Sequence, residues 1–278
     1  MHRRKSRAAQ FLLSKKATAL PVSFLMLFVS LTLIVSATYY ISVTKIQARG
    51  ALLNIAEAKH SITTFESFVG FAAWSPGTSS TYHFEDSGGT FKIYPNTKNL
   101  LVNITDNNTF YMVAFNSSVG KAVYELPPAE TAVYTFYLKG DRRAIINQTA
   151  FTMSQIHLSP GTSAPELTLA YRPLATMSET DFDVKPVNTL RLYIISFESS
   201  ATLTAQGELD VKSTCVNVTS NLQTYNFSTP INTIFARATM DERSDIVALP
   251  MMSNVNGSFL EVETLVCHIK LERIQRGS

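Results

Sequence analysis

Cysteine is scarce in this chain: two residues in 278, beside one tryptophan, eleven glycines and eleven prolines. So few thiols exclude a disulfide-dense mini-protein, and so little glycine and proline excludes a collagen-like fibre. Charge is also sparse, at 16% of residues, while 45% are hydrophobic, which excludes a disordered chain. Long apolar runs are nearly absent. A single stretch is apolar enough to span a bilayer, which excludes a polytopic membrane protein. A net positive charge on the globular part is missing too. Of 24 Lys and Arg, six (Arg3, Arg4, Lys5, Arg7, Lys15, Lys16) precede residue 17, leaving 18 against 21 acids. A duplex-binding surface needs clustered cations on the folded part, so no nucleic-acid partner is expected.

The one apolar run extends from Ala17 to Thr44 without a charged residue. A helix needs about 20 residues to cross the hydrocarbon, and Leu20 to Val43 exceeds that. Pro21 fits the first turn of such a helix, where a missing N–H costs nothing. Tyr39 and Tyr40 sit toward the far end, as interfacial aromatics do. With six cations before the run, the positive-inside rule predicts a single-pass protein in the cell membrane. Its N-terminus is cytoplasmic and its C-terminal part extracellular, with the lipid bilayer as partner. A secretory signal peptide is the alternative, with a small-residue cleavage site at Val35-Ser36-Ala37. The run exceeds the usual 7–15 residues of such a segment and continues past that site, which favours a retained anchor.

Asn-x-Ser/Thr triplets begin at Asn103, Asn107, Asn116, Asn147, Asn217, Asn226 and Asn256. With 15 Asn and 58 Ser or Thr, chance gives roughly three. All fall on the predicted external side, where they read as glycosylation acceptors. In that oxidising compartment Cys215 and Cys267 read as one disulfide between neighbouring strands, two buried free thiols being the alternative.

After Thr44, apolar residues at Ala48, Leu52, Ile55, Ile62, Phe65 and Val69 keep helical spacing, with Lys45, Arg49, Glu57, Lys59 and Glu66 on other faces. The pattern predicts one amphipathic continuation of the apolar helix, about 50 residues and roughly 75 Å long, with Gly50 as its weak point. Pro76 and Gly77 stop it. Beyond Ser80 come short alternating segments rich in Val, Ile, Thr, Tyr and Phe. NSSVGK, PPAE, KGDRR, SPGTSAP and NVNGS punctuate them as turns. The expected fold is mainly β with a long N-terminal helix: an antiparallel sandwich-like head on a helical stalk. The expected organisation is a basic leader at 1–17, the helix at 18–75 and the β-rich part at 80–278, one unit or two split near residue 180.

Catalytic signatures are missing: no HExxH, no GxSxG, no P-loop and no GxGxxG between strand and helix. Ser118 and Lys121 form an SxxK, but they overlap the Asn116 triplet in what reads as a turn. Asp141, Asp181 and Asp183 lack the ordered spacing of a Ca²⁺ loop. Glu261 and Glu263 share one face of a strand, which reads as an exposed polar face. Cys267-His268 lacks further ligands for a metal. A non-enzymatic protein with no cofactor and no metal is expected.

Lys15-Lys16-Ala17 before an uninterrupted apolar helix, an amphipathic extension and then a β-rich head together resemble the type IV pilin-like proteins. The archaeal branch with class III signal peptides looks closest. The resemblance implies cleavage after a basic residue plus Gly or Ala, here between Ala17 and Thr18 next to Lys16. It also implies partnership with other pilin-like subunits through the N-terminal helix. The family often carries Glu at the fifth mature position, where this chain has Val22. That departure points toward a minor or accessory subunit, or toward a membrane-tethered binding or adhesion module that forms no filament.

Overall fold

The described residues of this computed structural model form one helix and thirteen strands, numbered in chain order. They are residues 6–127, 134–162, 164–181, 184–198 and 202–274, the side chains of residues 6–21 and 51 being left aside. The chain divides into two compact units, Met1–Leu53 and Asn54–Ser278.

Helix α1 (Ser6–Ala72) begins well upstream of Pro21, so that proline lies inside the helix and not in its first turn as the sequence led us to expect. An interior proline leaves one carbonyl without its intrahelical donor. The helix stops where the sequence says it should. The N–H of Ala73 still bonds Val69 O at 2.9 Å, then Trp74 (φ 67°) and Gly77 (φ 82°) turn left-handed. A positive φ is costly for a bulky side chain.

The second unit holds the last turns of α1 and two sheets. One sheet runs β1 (Ser79–Phe84), β10 (Leu209–Phe227), β13 (Ser258–Ile274), β8 (Val187–Phe197), β7 (Leu174–Thr180). The other runs β12 (Arg243–Pro250), β11 (Thr233–Met240), β2 (Thr90–Thr105), β3 (Tyr111–Glu125), β6 (Glu166–Tyr171), β5 (Ser154–Ser159), β4 (Phe136–Lys139). Strand β9 (Leu203–Gln206) pairs with the first half of β2. The ladders are antiparallel, as expected for a sandwich-like body, except that β13 and β8 run parallel from Phe259↔Val187 to Ile269↔Phe197. Strands from before and after residue 180 share both sheets.

Several segments that read as separate strands are halves of one. TFKIYP and NLLVNI are both β2, of 16 residues, and TFYMVAF and AVYELP are both β3, of 15. NSSVGK is therefore strand and not turn. Its Gly120 serves a close approach, since a Cβ there would lie 2.8 Å from the Phe197 carbonyl oxygen. Ser118 and Lys121 consequently share no helical turn; the Ser118 hydroxyl donates to Asn99 Oδ1 at 3.0 Å.

Two apolar cores explain the length of these strands. In the first, Ala58, Ile62, Phe65 and Val69 of α1 are buried with Phe84, Phe91, Tyr124, Leu169, Phe197 and Ile269. The Phe65 ring lies 5.3 Å from Phe84 and 5.7 Å from Phe91, within the range of favourable aromatic pairs. In the second, Leu100, Val102, Leu190, Leu192, Ile234, Leu260 and Val262 pack together. Strands β2, β8 and β13 supply both cores and change their inward face between them. In β13 the buried set passes from Leu260, Val262 and Val266 to Cys267, Ile269 and Leu271. In β2 it passes from Phe91 and Ile93 to Leu100, Val102 and Ile104, across a register shift between Tyr94 and Lys98. Such a shift inserts residues into one strand and re-aims its side chains.

Candidate functional site

From Val22 to Leu53 the described large apolar side chains of α1 lie open, Val43 alone being half-buried; Phe24 is 73% exposed and Leu31 56%. Among the described residues this is the one helix long and apolar enough to cross a membrane. A helix apolar all round belongs in lipid or in a core. Four of its hydroxyls are satisfied from within. Ser30, Thr32, Thr38 and Thr44 each donate to the carbonyl four residues back, at 2.7–2.8 Å. In hydrocarbon, where no water competes, an unsatisfied hydroxyl would cost several kcal/mol, roughly 2–7 by transfer data. Lys16, Ala17 and Thr18 fall within α1, and their side chains lie outside the described residues.

Of the seven candidate acceptors, Asn107, Asn116, Asn217, Asn226 and Asn256 are exposed, whereas Asn103 and Asn147 are half-buried. Asn107 (φ 63°) sits at the tip of the β2–β3 turn. That turn is built by Asp106, whose Oδ1 accepts the N–H groups of Asn108, Thr109 and Phe110 at 2.8–3.0 Å. Burial would push the Asp106 carboxyl up, but these donors outweigh it and hold it below the usual carboxylate range. Asn103 lies mid-sheet, paired to Arg237 on one side and Val113 on the other, with its Oδ1 buried and unbonded. The spacing of the triplet says nothing about that burial. The Asn147 amide donates to Ala248 O at 3.3 Å, and Asn226 Oδ1 accepts from Lys185 Nζ at 2.7 Å.

Cys215 and Cys267 are neighbours, as strand adjacency suggested, but they are free thiols here. Their Sγ atoms stand 3.6 Å apart, against about 2.05 Å in a disulfide. The expected bridge is therefore not formed. The register gives the reason for the offset: Cys215 faces Ile269 and Cys267 faces Val218, across a register shift at Cys215/Asn217. The Trp74 N–H donates to Cys267 Sγ at 3.3 Å, and burial pushes the Cys267 thiol up to about 12.

Glu261 and Glu263 do point one way, away from buried Leu260 and Val262. Both are engaged: Thr189 donates to Glu261 at 3.2 Å, and Arg191 Nε meets Glu263 at 2.8 Å. Asp141 binds Arg143 (Nη2 at 2.6 Å) and the wholly buried Arg172 (Nη1 at 2.5 Å). Arg143 chiefly, with Arg172, holds the Asp141 carboxyl well below the usual range. Arg172 also donates to the carbonyls of Thr152 and Arg143, so each nitrogen of its buried guanidinium has a partner. Asp181 is exposed and Asp183 lies outside the described residues. Among the described residues no three His, Cys, Asp or Glu come together as a metal site. No known protein family, curated protein or solved structure matches this chain.

Proposed function

We propose that this chain is a non-enzymatic, single-pass membrane glycoprotein whose β-rich part is displayed outside the cell, in the manner of a type IV pilin-like or minor pilin subunit. The observation that carries the reading is the open apolar surface of α1 from Val22 to Leu53, which water would disfavour by about 25 cal/mol per Å² and lipid would not. Orientation rests on charge: six cations in the fifteen residues before the run against Lys45, Arg49 and Lys59 in the fifteen after it. Five exposed acceptors support glycosylation of the same part. In such a subunit an apolar rod leaves lipid only if other rods replace the lipid contacts, and a filament core of helices does this.

A tethered binding or adhesion module is the second reading, favoured by Val22 standing where a filament-forming relative would carry a carboxylate. Intact mass of the mature chain from native membranes separates the routes. A start at Thr18 supports the pilin-like one, a start at Met1 a plain anchor, and a start at Thr38 overturns membrane retention. Protease added to whole cells should digest the β-rich part; its complete protection would reverse the orientation.

A further inference from the structure

The β-rich unit contains a cavity of about 340 Å³. Its walls come from distant parts of the chain: Lys98 of β2, Tyr137 of β4, Arg142, His157 of β5, and Arg243 beside the Asp241-Glu242 turn. The volume sits at the lower end of the range for small-molecule sites, roughly 300–1,000 Å³. Two groups in it are conspicuously short of partners. The Lys98 ammonium is half-buried, and its hydrogen-bond contact is the Met240 thioether at 3.9 Å, a weak acceptor. His157 Nδ1 is buried with no partner, while its ring leans on Tyr137 at 5.4 Å. Arg243 is held in place, its Nη1 donating to Tyr137 Oη at 2.9 Å.

The acids of the cavity answer only part of this. Asp241 lies close enough for its charge to act on Lys98, but it spends one oxygen, Oδ1, on the Asn99 N–H at 3.2 Å, and Glu242 is exposed. Lys98, Arg142 and Arg243 outnumber these two, and Lys121 stands close enough to act on both Lys98 and His157.

We infer that this cavity binds the oxyanion of a small polar molecule, a carboxylate or a phosphate monoester on a group of sugar size, with Lys98 as the inner contact and Arg243 as the outer one. Ammonium and guanidinium donors form their strongest hydrogen bonds to charged oxygen, and an under-partnered half-buried ammonium is where such a ligand recovers the most. The His157 Nδ1–H, in the tautomer that places the proton there, adds a donor. The Tyr137 and His157 rings, tilted 40° to each other, offer an aromatic wall to the rest of the ligand. Burial lowers the Lys98 pKa, and burial followed by the cations Lys98, Arg243 and Lys121 lowers that of His157 to about 4, in keeping with surplus positive charge that an anion would relieve.

The test is calorimetric titration of the full-length protein in a non-ionic detergent with glucuronate, glucose 6-phosphate, inorganic phosphate and, as a neutral control, glucose. Saturable binding of an anion with Kd on the order of 1 mM or tighter is expected, with glucose silent. The tightest of the three anions names the source of the oxyanion. Lys98→Met, which keeps the half-buried stem, should weaken that anion about tenfold or more. Arg243→Gln should weaken it less, and provides the second arm should Lys98→Met fold poorly. No saturation by any of the three anions, equal binding of glucose, or wild-type affinity in a folded Lys98→Met or Arg243→Gln protein overturns the inference.

Discussion

Two stretches of the same helix meet opposite fates, and they differ in composition: 21 of the 32 residues from Val22 to Leu53 are apolar, against 9 of the 19 from Asn54 to Ala72. Between Val22 and Thr44 no charged residue interrupts the apolar ones, and the large ones lie open but for half-buried Val43; between Asn54 and Ala72 the side chains of Ala58, Ile62, Phe65 and Val69 vanish into the first core, while Phe71 stays 74% exposed. Phe28 is 60% exposed and Phe65 0%. Composition separates them in part, and the placement of charge does the rest. The second signal is the arrival of charge from Lys45 onward, with Arg49, Glu57 and Lys59 flanking the positions that become the buried stripe. Glu66 is itself buried and forms an ion pair with Lys139 of β4. A uniformly greasy surface suits a uniform solvent, whereas a stripe suits a partner with a shape.

The sharpest way to break this contrast is to charge the open stretch. Leu31→Arg should abolish retention in membranes, since a mid-bilayer arginine costs about 2.5–3.5 kcal/mol on insertion scales, while denaturant unfolding of the β-rich part stays unchanged. Membrane fractionation beside a urea melt reads both. Phe65→Ala should do the reverse, lowering unfolding free energy by about 3–5 kcal/mol and leaving membrane partition intact. The same truncation at Phe28 should leave it within about 0.5 kcal/mol. Arg172→Met should cost about 3 kcal/mol, because carbonyls of Thr152 and Arg143 lose a buried donor and Asp141 one of its cations.

Acid probes the same cluster more gently. The Asp141 carboxyl is depressed in the folded state, so its stabilising effect is complete above the unfolded value of about 3.9 and disappears as pH falls through the folded one. Thermal unfolding of wild type should therefore lose stability from about pH 5 downward, and Asp141→Asn should show a shallower loss. The smallest effect concerns the thiols. With Cys267 buried and its pKa raised to about 12, iodoacetamide at about pH 8 should leave both cysteines unmodified until denaturant is added. Rapid alkylation in the native state would mean that the first core opens readily.

Much of the architecture could be read in advance. The end of α1 near Pro76 and the change to strands after Ser80 were both legible, because each rests on local chemistry. The apolar stretch was legible for the same reason. What escaped was non-local. β13 reads as an irregular strand because its inward face changes at Val266 and Cys267, so a strict alternation fails at the point where the strand passes from one core to the other. NSSVGK reads as a turn because Gly120 is usually punctuation, whereas here it makes room for Phe197. The parallel pairing of β8 with β13 joins segments some 70 residues apart, which no short window reveals. The cationic cavity is illegible for the same reason, as Lys98 and Arg243 meet only through the β2–β11–β12 ladder.

The sharing of both sheets by early and late strands has a practical corollary. Severing the chain between β7 and β8 would separate two polypeptides that remain interleaved through both cores, so neither piece should be a folding unit on its own. Nicked material should migrate as one species on a native gel and as two fragments only once urea or detergent has pulled the strands apart.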